Sequence, residues 1–521
     1  MEAAGDFRLD ARDGWLAATL ALLALVLGAL RMVPGAAGVY HDDGIYICTA
    51  KALAEGHGYR LINIPGSPPQ TKYPILWPAV LSLLWPAAPF PANVVLMQSL
   101  TLACAAALLA LSYLFLARWK YAERGPAFAA CLLCATSSEH LYFGTIVLTE
   151  IPFGLACLMA FWMLEAHLEK EGNGLLLGIV LAVPILLRTA GAPLLPAALY
   201  VLWRSGKPVV WVIAGSVMAL LPWTWWAAGG LGGWQRDAVQ GYYTDYLGWW
   251  GEAARLDYLR VPIWNVVWAT ISSIGPAVEG LGPMALLQLT LIWVPAALTL
   301  GALAWMEAAR QAGEGRATPF LLMAYLALVL AWPWPSPRFL LPFVPLLAAL
   351  AFRRLPMSLG SGVILVAVLA VSNLVLLGRV VALQSSTRWP GPLSQGDLAA
   401  MDRHDELLRW VRDHAREEDI IASALDPMVY LHTGRRSVRP FVQRPLALFY
   451  GAAGRGVGDA DELAGILKAS GSAYLIDTPL FLFGEEKDFR NSVSELAARG
   501  GLRLAYRSTA DPRCVIYEVV R

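Results

Sequence analysis

Residues 14–46, GWLAATLALLALVLGALRMVPGAAGVYHDDGIY, decide how the rest of the chain is read. The run 14–33 is apolar over about 20 residues, enough for a helix to cross a hydrocarbon core of about 30 Å. Ahead of it the chain mixes Asp, Glu and Arg, and the run continues into Arg31 with no convincing small-residue cleavage site, so it reads as an uncleaved first span. Past the span stand two adjacent carboxylates, Asp42 and Asp43, with His41 before them. Carboxylates held beside lipid are costly, and their default reading is chemistry. Asp42 also suits a plainer task, capping a helix that opens near Gly44, because an aspartate there accepts backbone N–H groups.

The same alternation continues along the chain. Of 521 residues, 57% are hydrophobic and 15% charged, with 21 Trp. Apolar segments at 92–117, 125–137, 149–167, 174–187, 191–203, 209–228, 283–306, 318–334, 339–352 and 359–377 bring the expected number of spans to about eleven. Arg118, Lys120, Arg124, Lys170, Arg204, Lys207, Arg310, Arg316, Arg353 and Arg354 fall at alternate turns, the pattern of cytoplasmic loops. That bias puts the amino terminus inside and, with an odd number of spans, the carboxyl terminus outside. Two outer segments are then too long to be simple connectors: 34–91, with a helix expected at 44–55, and 234–282, which carries Tyr242, Tyr243, Tyr246, Trp249, Trp250, Trp264 and Trp268. The aromatic set suits an interfacial belt or a sugar- or lipid-facing surface.

Composition changes near residue 385. Charges crowd in, and short apolar runs alternate with amphipathic ones: helices at 402–417, 459–469 and 489–499, strands at 419–423, 473–477, 502–506 and 514–520. This is the pattern of a small α/β domain. The expected organisation is a membrane domain, 1–384, followed by a soluble α/β domain, 385–521. Glycines 451–458 do not follow a strand as a phosphate-cradling loop would. A net charge of +1 gives nucleic acid no electrostatic support. Cys131 and Cys134 lie inside an apolar run without a second ligand pair, so they read as packing residues.

Four more polar residues interrupt apolar surroundings. Lys72 sits in a Pro-rich part of the first outer loop, either snorkelling or meeting an anion. Glu150 opens a span, where a helix-end carboxylate is also plausible. Arg188 breaks an apolar stretch and needs a partner if buried. Arg338 follows a Pro-rich kink, as an anchor or as an anion contact.

Taken together, these motifs resemble a known family. Tyr40-His41-Asp42-Asp43-Gly44-Ile45-Tyr46, with Glu55-Gly56 and Gly58-Tyr59, is similar to the first outer loop of GT-C-fold membrane glycosyltransferases of the protein O-mannosyltransferase and lipid A aminoarabinose transferase group. The resemblance extends to Thr71-Lys72-Tyr73-Pro74, Leu148-Thr149-Glu150-Ile151-Pro152-Phe153, Leu187-Arg188-Thr189-Ala190-Gly191, Ser336-Pro337-Arg338-Phe339 and, in the tail, Tyr430-Leu431-His432-Thr433-Gly434-Arg435. It implies a polytopic helical GT-C architecture and an inverting transfer of a monosaccharide from a polyprenyl-phosphate donor to a protein, glycan or lipid acceptor outside the membrane. By matching position Asp42 is the base or acceptor-orienting carboxylate, with Asp43 as its helper. Lys72, Arg188 and Arg338 hold the donor phosphate, and Glu150, His41 and Tyr73 take supporting or acceptor-facing places. No cofactor is required. Mg²⁺ or Mn²⁺ would find its ligands among Asp42, Asp43, Glu150 and His41, and no spacing demands it. The expected location is the bacterial inner membrane, with the site and tail facing the periplasm. The rival reading is a non-catalytic transporter or flippase of lipid-linked sugars, but the internal repeats such proteins carry are not seen.

Overall fold

The computed structural model describes residues 9–229, 260–275, 283–332, 334, 337–355, 359–387, 400–444, 447–448, 454–479, 486–509 and 511–520. Most of the aromatic segment expected at 234–282, including Tyr242, Tyr243, Tyr246, Trp249 and Trp250, lies outside them. The chain forms two compact units: one comprises Met1–Met32, Gln98–Trp225 and Leu259–Val381, the other Val33–Met97, Trp226–Tyr258 and Ala382–Arg521. The compositional break near 385 falls close to the last of these boundaries, and the first outer loop folds in the same unit as the tail.

The first unit is helical. Every apolar segment expected to span is built around a helix, from Ala11–Arg31 to Leu359–Thr387. Among the described residues, five helices are both long and apolar enough to cross a membrane, and several others are shorter. In this unit the helices Ser138–Thr145 and Arg260–Ile271 went unseen in the sequence. Helices approach closely where side chains are absent. A Cβ at Gly178 would lie 2.0 Å from the Val212 carbonyl oxygen, and one at Gly215 would lie 2.1 Å from that of Leu175. Small residues of this kind let membrane helices pack backbone to backbone. Outward faces keep large apolar side chains exposed, among them Leu22, Leu30, Val363, Val371 and Val375. That is the surface lipid requires. The basic turns are knitted together: Arg353 donates to the carbonyls of Lys120 and Tyr121, Arg316 donates to that of Trp119, and Arg118 pairs with Glu169 at 2.7 Å. Cys131 and Cys134 are buried free thiols in helix Arg124–Thr136.

The second unit is built on a five-stranded sheet of β1 Ile420–Ala422, β2 Ser437–Val438, β3 Ser472–Asp477, β4 Leu502–Arg507 and β5 Val515–Val519. The order is β2-β1-β3-β5-β4, with β2, β1 and β3 parallel and β5 antiparallel to β3 and β4. Helices cover both faces, and the first outer loop enters both cores. Ile45, Leu61 and Ile64 pack with Leu463, Leu467 and Phe489. Val39 packs with Leu407, Met428 and Val429. The backbone N–H of Ser437 in β2 donates to the carbonyl of Asn63 in that loop at 2.8 Å. The tail and the loop therefore share their hydrophobic interior, and each side chain shielded there adds about 1.5–3 kcal/mol.

Candidate functional site

The outer loop turns into helix Asp42–Ala54, whose N-cap residue is His41. His41 has φ 64° and ψ −59°, a left-handed conformation that a non-glycine residue holds at a cost of order 1–3 kcal/mol. Asp43 is what holds it there. Its side chain is fully buried and accepts the backbone N–H groups of Gly38 at 2.8 Å and Tyr40 at 2.9 Å, closing the turn ahead of the helix. Burial raises the Asp43 carboxyl to about 6 against the pull of those N–H groups, and the neighbouring Asp42 charge adds to the rise. Asp43 was expected as a catalytic helper; its geometry is that of the residue that shapes the loop.

Asp42 points elsewhere. About a fifth of its side chain is exposed, and its Oδ1 accepts the Tyr73 hydroxyl at 2.7 Å. The turn bearing Tyr73 is fixed by Gln70, whose Oε1 accepts the N–H groups of Lys72 at 2.8 Å and Tyr73 at 3.2 Å, while the Tyr59 hydroxyl donates to the Tyr73 carbonyl at 2.8 Å. Tyr46 meets the Tyr73 ring edge-on at 5.3 Å. Lys72 Nζ lies 5.3 Å from the centre of the Tyr73 ring, a cation–π contact. Burial draws the Lys72 ammonium down to about 8; Asp42 opposes this and Arg439 reinforces it. The loop thus gathers a partly open carboxylate, a phenol and a lysine that keeps its charge below about pH 8. Gln70 carried no signal in the sequence, since a buried glutamine in a turn looks like any loop residue; Tyr46 and Tyr59 stood in the first-loop motif with no role assigned to them.

His41 is buried as well, and its Nε2 lies 3.1 Å from Asp426 Oδ1. The other Asp426 oxygen accepts Asn63 Nδ2 at 3.1 Å. The sequence reading missed Asp426 because it opens the short helix Asp426–Thr433, itself unforeseen. The approach of this helix explains two glycines: a Cβ at Gly44 would lie 2.6 Å from Pro427 Cβ, and one at Gly38 would lie 2.7 Å from Met428 Cα.

The remaining expected residues meet in the first unit. Glu150 opens helix Glu150–Glu169 and is fully buried. Its Oε1 receives Arg188 Nη1 at 2.7 Å and Arg338 through Nη2 at 2.6 Å and Nε at 2.7 Å. Arg188 is placed by a helix break. Helix Gly174–Leu187 ends in the extended backbone of Arg188, and a short turn, Thr189–Gly191, follows. Arg338 sits in the turn Pro337–Leu340, tied down by the Tyr325 hydroxyl on the Phe339 carbonyl at 2.9 Å. Arg188 also lies over the Phe339 ring at 5.2 Å. Two guanidiniums on one carboxylate leave the group with a net charge of about +1, an arrangement suited to an anion.

The ligand set considered for Mg²⁺ or Mn²⁺ does not suit a divalent ion. Both Asp43 oxygens are engaged by backbone N–H groups, and the described residues include no group of three His, Cys, Asp or Glu side chains that could hold a metal.

No protein-family model and no curated protein matches the sequence. Solved structures do. Over 98% of this chain and 99% of the other, it resembles ArnT from Cupriavidus metallidurans bound to undecaprenyl phosphate, with 13% identity and a TM-score of 0.53. Over 89% of this chain and 68% of the other, it resembles the oligosaccharyltransferase of Archaeoglobus fulgidus in complex with zinc and sulfate, with 14% identity and a TM-score of 0.54. The chain has the GT-C fold of membrane glycosyltransferases, with a C-terminal α/β region, as its motifs implied.

Proposed function

We propose that this protein is an inverting glycosyltransferase that moves a monosaccharide from a polyprenyl-phosphate donor to an acceptor at the outer face of a membrane, in bacteria the inner membrane. In this reading residues 1–384 are the membrane-embedded catalytic part and 385–521 the outer-facing part. The observation that carries it is the loop cluster: a partly exposed Asp42 held by the Tyr73 hydroxyl beside Lys72. The fold supports it, since a protein of the same architecture binds undecaprenyl phosphate.

The chemistry follows from charge. The acceptor hydroxyl is a poor nucleophile, and Asp42 takes its proton as the oxygen attacks the anomeric carbon. On the opposite side of that carbon the bond to phosphate breaks, and its electron pair leaves with the polyprenyl phosphate. Lys72 stabilises the charge gathering on the departing oxygen; within the first unit, the cationic Glu150–Arg188–Arg338 group is the proposed anion site for the donor. Attack opposite the leaving group inverts the anomeric centre. A lipid phosphate as acceptor needs no base, and Asp42 would then orient it.

The test is transfer. Purified protein in lipid vesicles is incubated with a panel of radiolabelled polyprenyl-phosphate sugars and membrane extract. Label should pass from at least one donor to a non-donor product of inverted configuration. Absence of transfer from every donor, by protein that is folded, contradicts the reading.

A further inference from the structure

We propose that a cavity of the second unit, between the first outer loop and the tail, binds the remote end of a neutral, hydroxyl-rich glycan acceptor. The inference rests on the glycosyltransferase reading for the ligand's role as acceptor. The cavity measures about 680 Å³, within the range of about 300–1,000 Å³ typical of small-molecule sites. His57, Arg60 and Ser67 line it from the loop, and Glu417, Glu418, Tyr430 and Arg436 line it from the tail. All of them belong to one unit. Helix Asp42–Ala54 has 13 residues at about 1.5 Å each, so its carboxyl end, three residues before His57, lies about 20 Å from Asp42. A sugar at the His57 end is therefore not the one that reacts at Asp42 but a distant part of an extended acceptor.

The lining decides the ligand class. Two guanidiniums, Arg60 and Arg436, stand against two carboxylates, Glu417 and Glu418. Glu418 is shared with Arg416 at 3.5 Å, which Asp419 holds in turn at 3.3 Å, and His57 faces Glu55 at 3.8 Å. Such a balance gives neither a phosphate nor a cation an advantage. A hydroxyl both donates and accepts, so a row of hydroxyls satisfies guanidinium donors and carboxylate acceptors side by side. Tyr430 adds a ring face for the C–H edge of a sugar and a hydroxyl beside it. The Tyr430 hydroxyl and the Glu417 and Arg436 head groups make no hydrogen bond or ion pair among the described residues, so all three are open to a ligand. A peptide strand finds no edge here: β2 ends the sheet, and its Ser437 N–H is already taken by the Asn63 carbonyl. The wall is held in shape. Ser67 keeps a left-handed φ of 45°, a strained state typical of functional sites, and Arg60 Nη1 donates to its carbonyl at 3.0 Å. Gly434 has φ 72°, and a Cβ there would meet no atom within 4 Å, so the mouth is open on that side.

The experiment measures binding first, on full-length protein in lipid nanodiscs. The probes are neutral tetrasaccharides of mannose, glucose, galactose and N-acetylglucosamine, their phosphorylated counterparts, and a Ser/Thr-rich peptide. At least one neutral tetrasaccharide should bind with a Kd of about 1 mM or tighter. Glu417→Ala and Arg436→Ala remove exposed side chains without protein partners among the described residues, so the thermal midpoint should hold. Each should weaken binding about tenfold, the effect of losing a hydrogen bond to a charged group. Failure of every neutral tetrasaccharide to bind, tighter binding of a phosphorylated probe or of the peptide, or affinity untouched by both variants overturns the site. In turnover with the bound glycan as acceptor, Arg436→Ala should raise the KM for acceptor about tenfold and leave the KM for donor within about twofold. An equal acceptor KM overturns the acceptor role. Saccharide binding by the wild type without transfer from any donor removes the glycosyltransferase reading instead and leaves the carbohydrate site standing.

Discussion

Asp42 receives a tyrosine hydroxyl and keeps about a fifth of its side chain exposed, whereas Glu150 is wholly buried and shares one oxygen between two guanidiniums. Both are carboxylates near the start of a helix, and both drew notice in the sequence for the same reason. Their surroundings divide the work. A neutral donor on Asp42 steadies the ion without cancelling it, which suits a group that must accept a proton. Two cations on Glu150 overwhelm its charge, which suits a group that organises an anion site. The difference teaches that a motif's acid is defined by what is hydrogen-bonded to it, and only secondarily by its position.

Three variants press on that contrast. The largest effect is expected from Glu150→Ala. It leaves two guanidiniums without their shared carboxylate, and stripping a partner from a buried ion pair costs about 3–5 kcal/mol. The thermal midpoint in detergent should drop sharply; an unchanged midpoint would mean that the cluster is not structural. Next comes Arg338→Ala, which should weaken polyprenyl-phosphate binding about tenfold to thirtyfold, as expected for a charge-assisted contact of about 1.5–2 kcal/mol, with little change in folding. Equal donor affinity would make Arg338 an anchor. The smallest effect concerns pH and Lys72. Burial depresses this lysine to about 8, so it is charged below that value and loses its charge as pH rises through it. Donor affinity of the wild type should decline between about pH 7 and about pH 9, while Lys72→Arg, which stays protonated, should remain flat across that window. A wild-type profile as flat as that of the arginine variant would show that Lys72 carries no donor charge.

Much of this was legible before the fold was known, for physical reasons. Hydrophobic length revealed the helices, and the residues that interrupt it, Glu150, Arg188 and Arg338, proved to be one cluster because a buried charge must find its opposite. Short apolar runs between amphipathic segments revealed β1, β3, β4 and β5. What stayed hidden depends on contacts between distant segments. Helix Asp426–Thr433 is short, begins with Asp-Pro and shows no long apolar periodicity, so nothing local marked Asp426 as the partner of His41. Gln70 organises the Lys72–Tyr73 turn through its side chain, which no pattern in the sequence records. Asp43 looked like a second catalytic acid, since adjacency in sequence does not show that the two side chains diverge, one to the Tyr73 hydroxyl and the other to the loop backbone.

The central claim is that Asp42 acts in the chemical step. The direct measurement is a single-turnover rate at saturating donor for wild type and Asp42→Asn, with donor affinity determined on the same samples. The account predicts a fall of about 10²- to 10⁴-fold in the rate, the usual worth of a general base, with donor affinity preserved. Equal rates in the two proteins would contradict it.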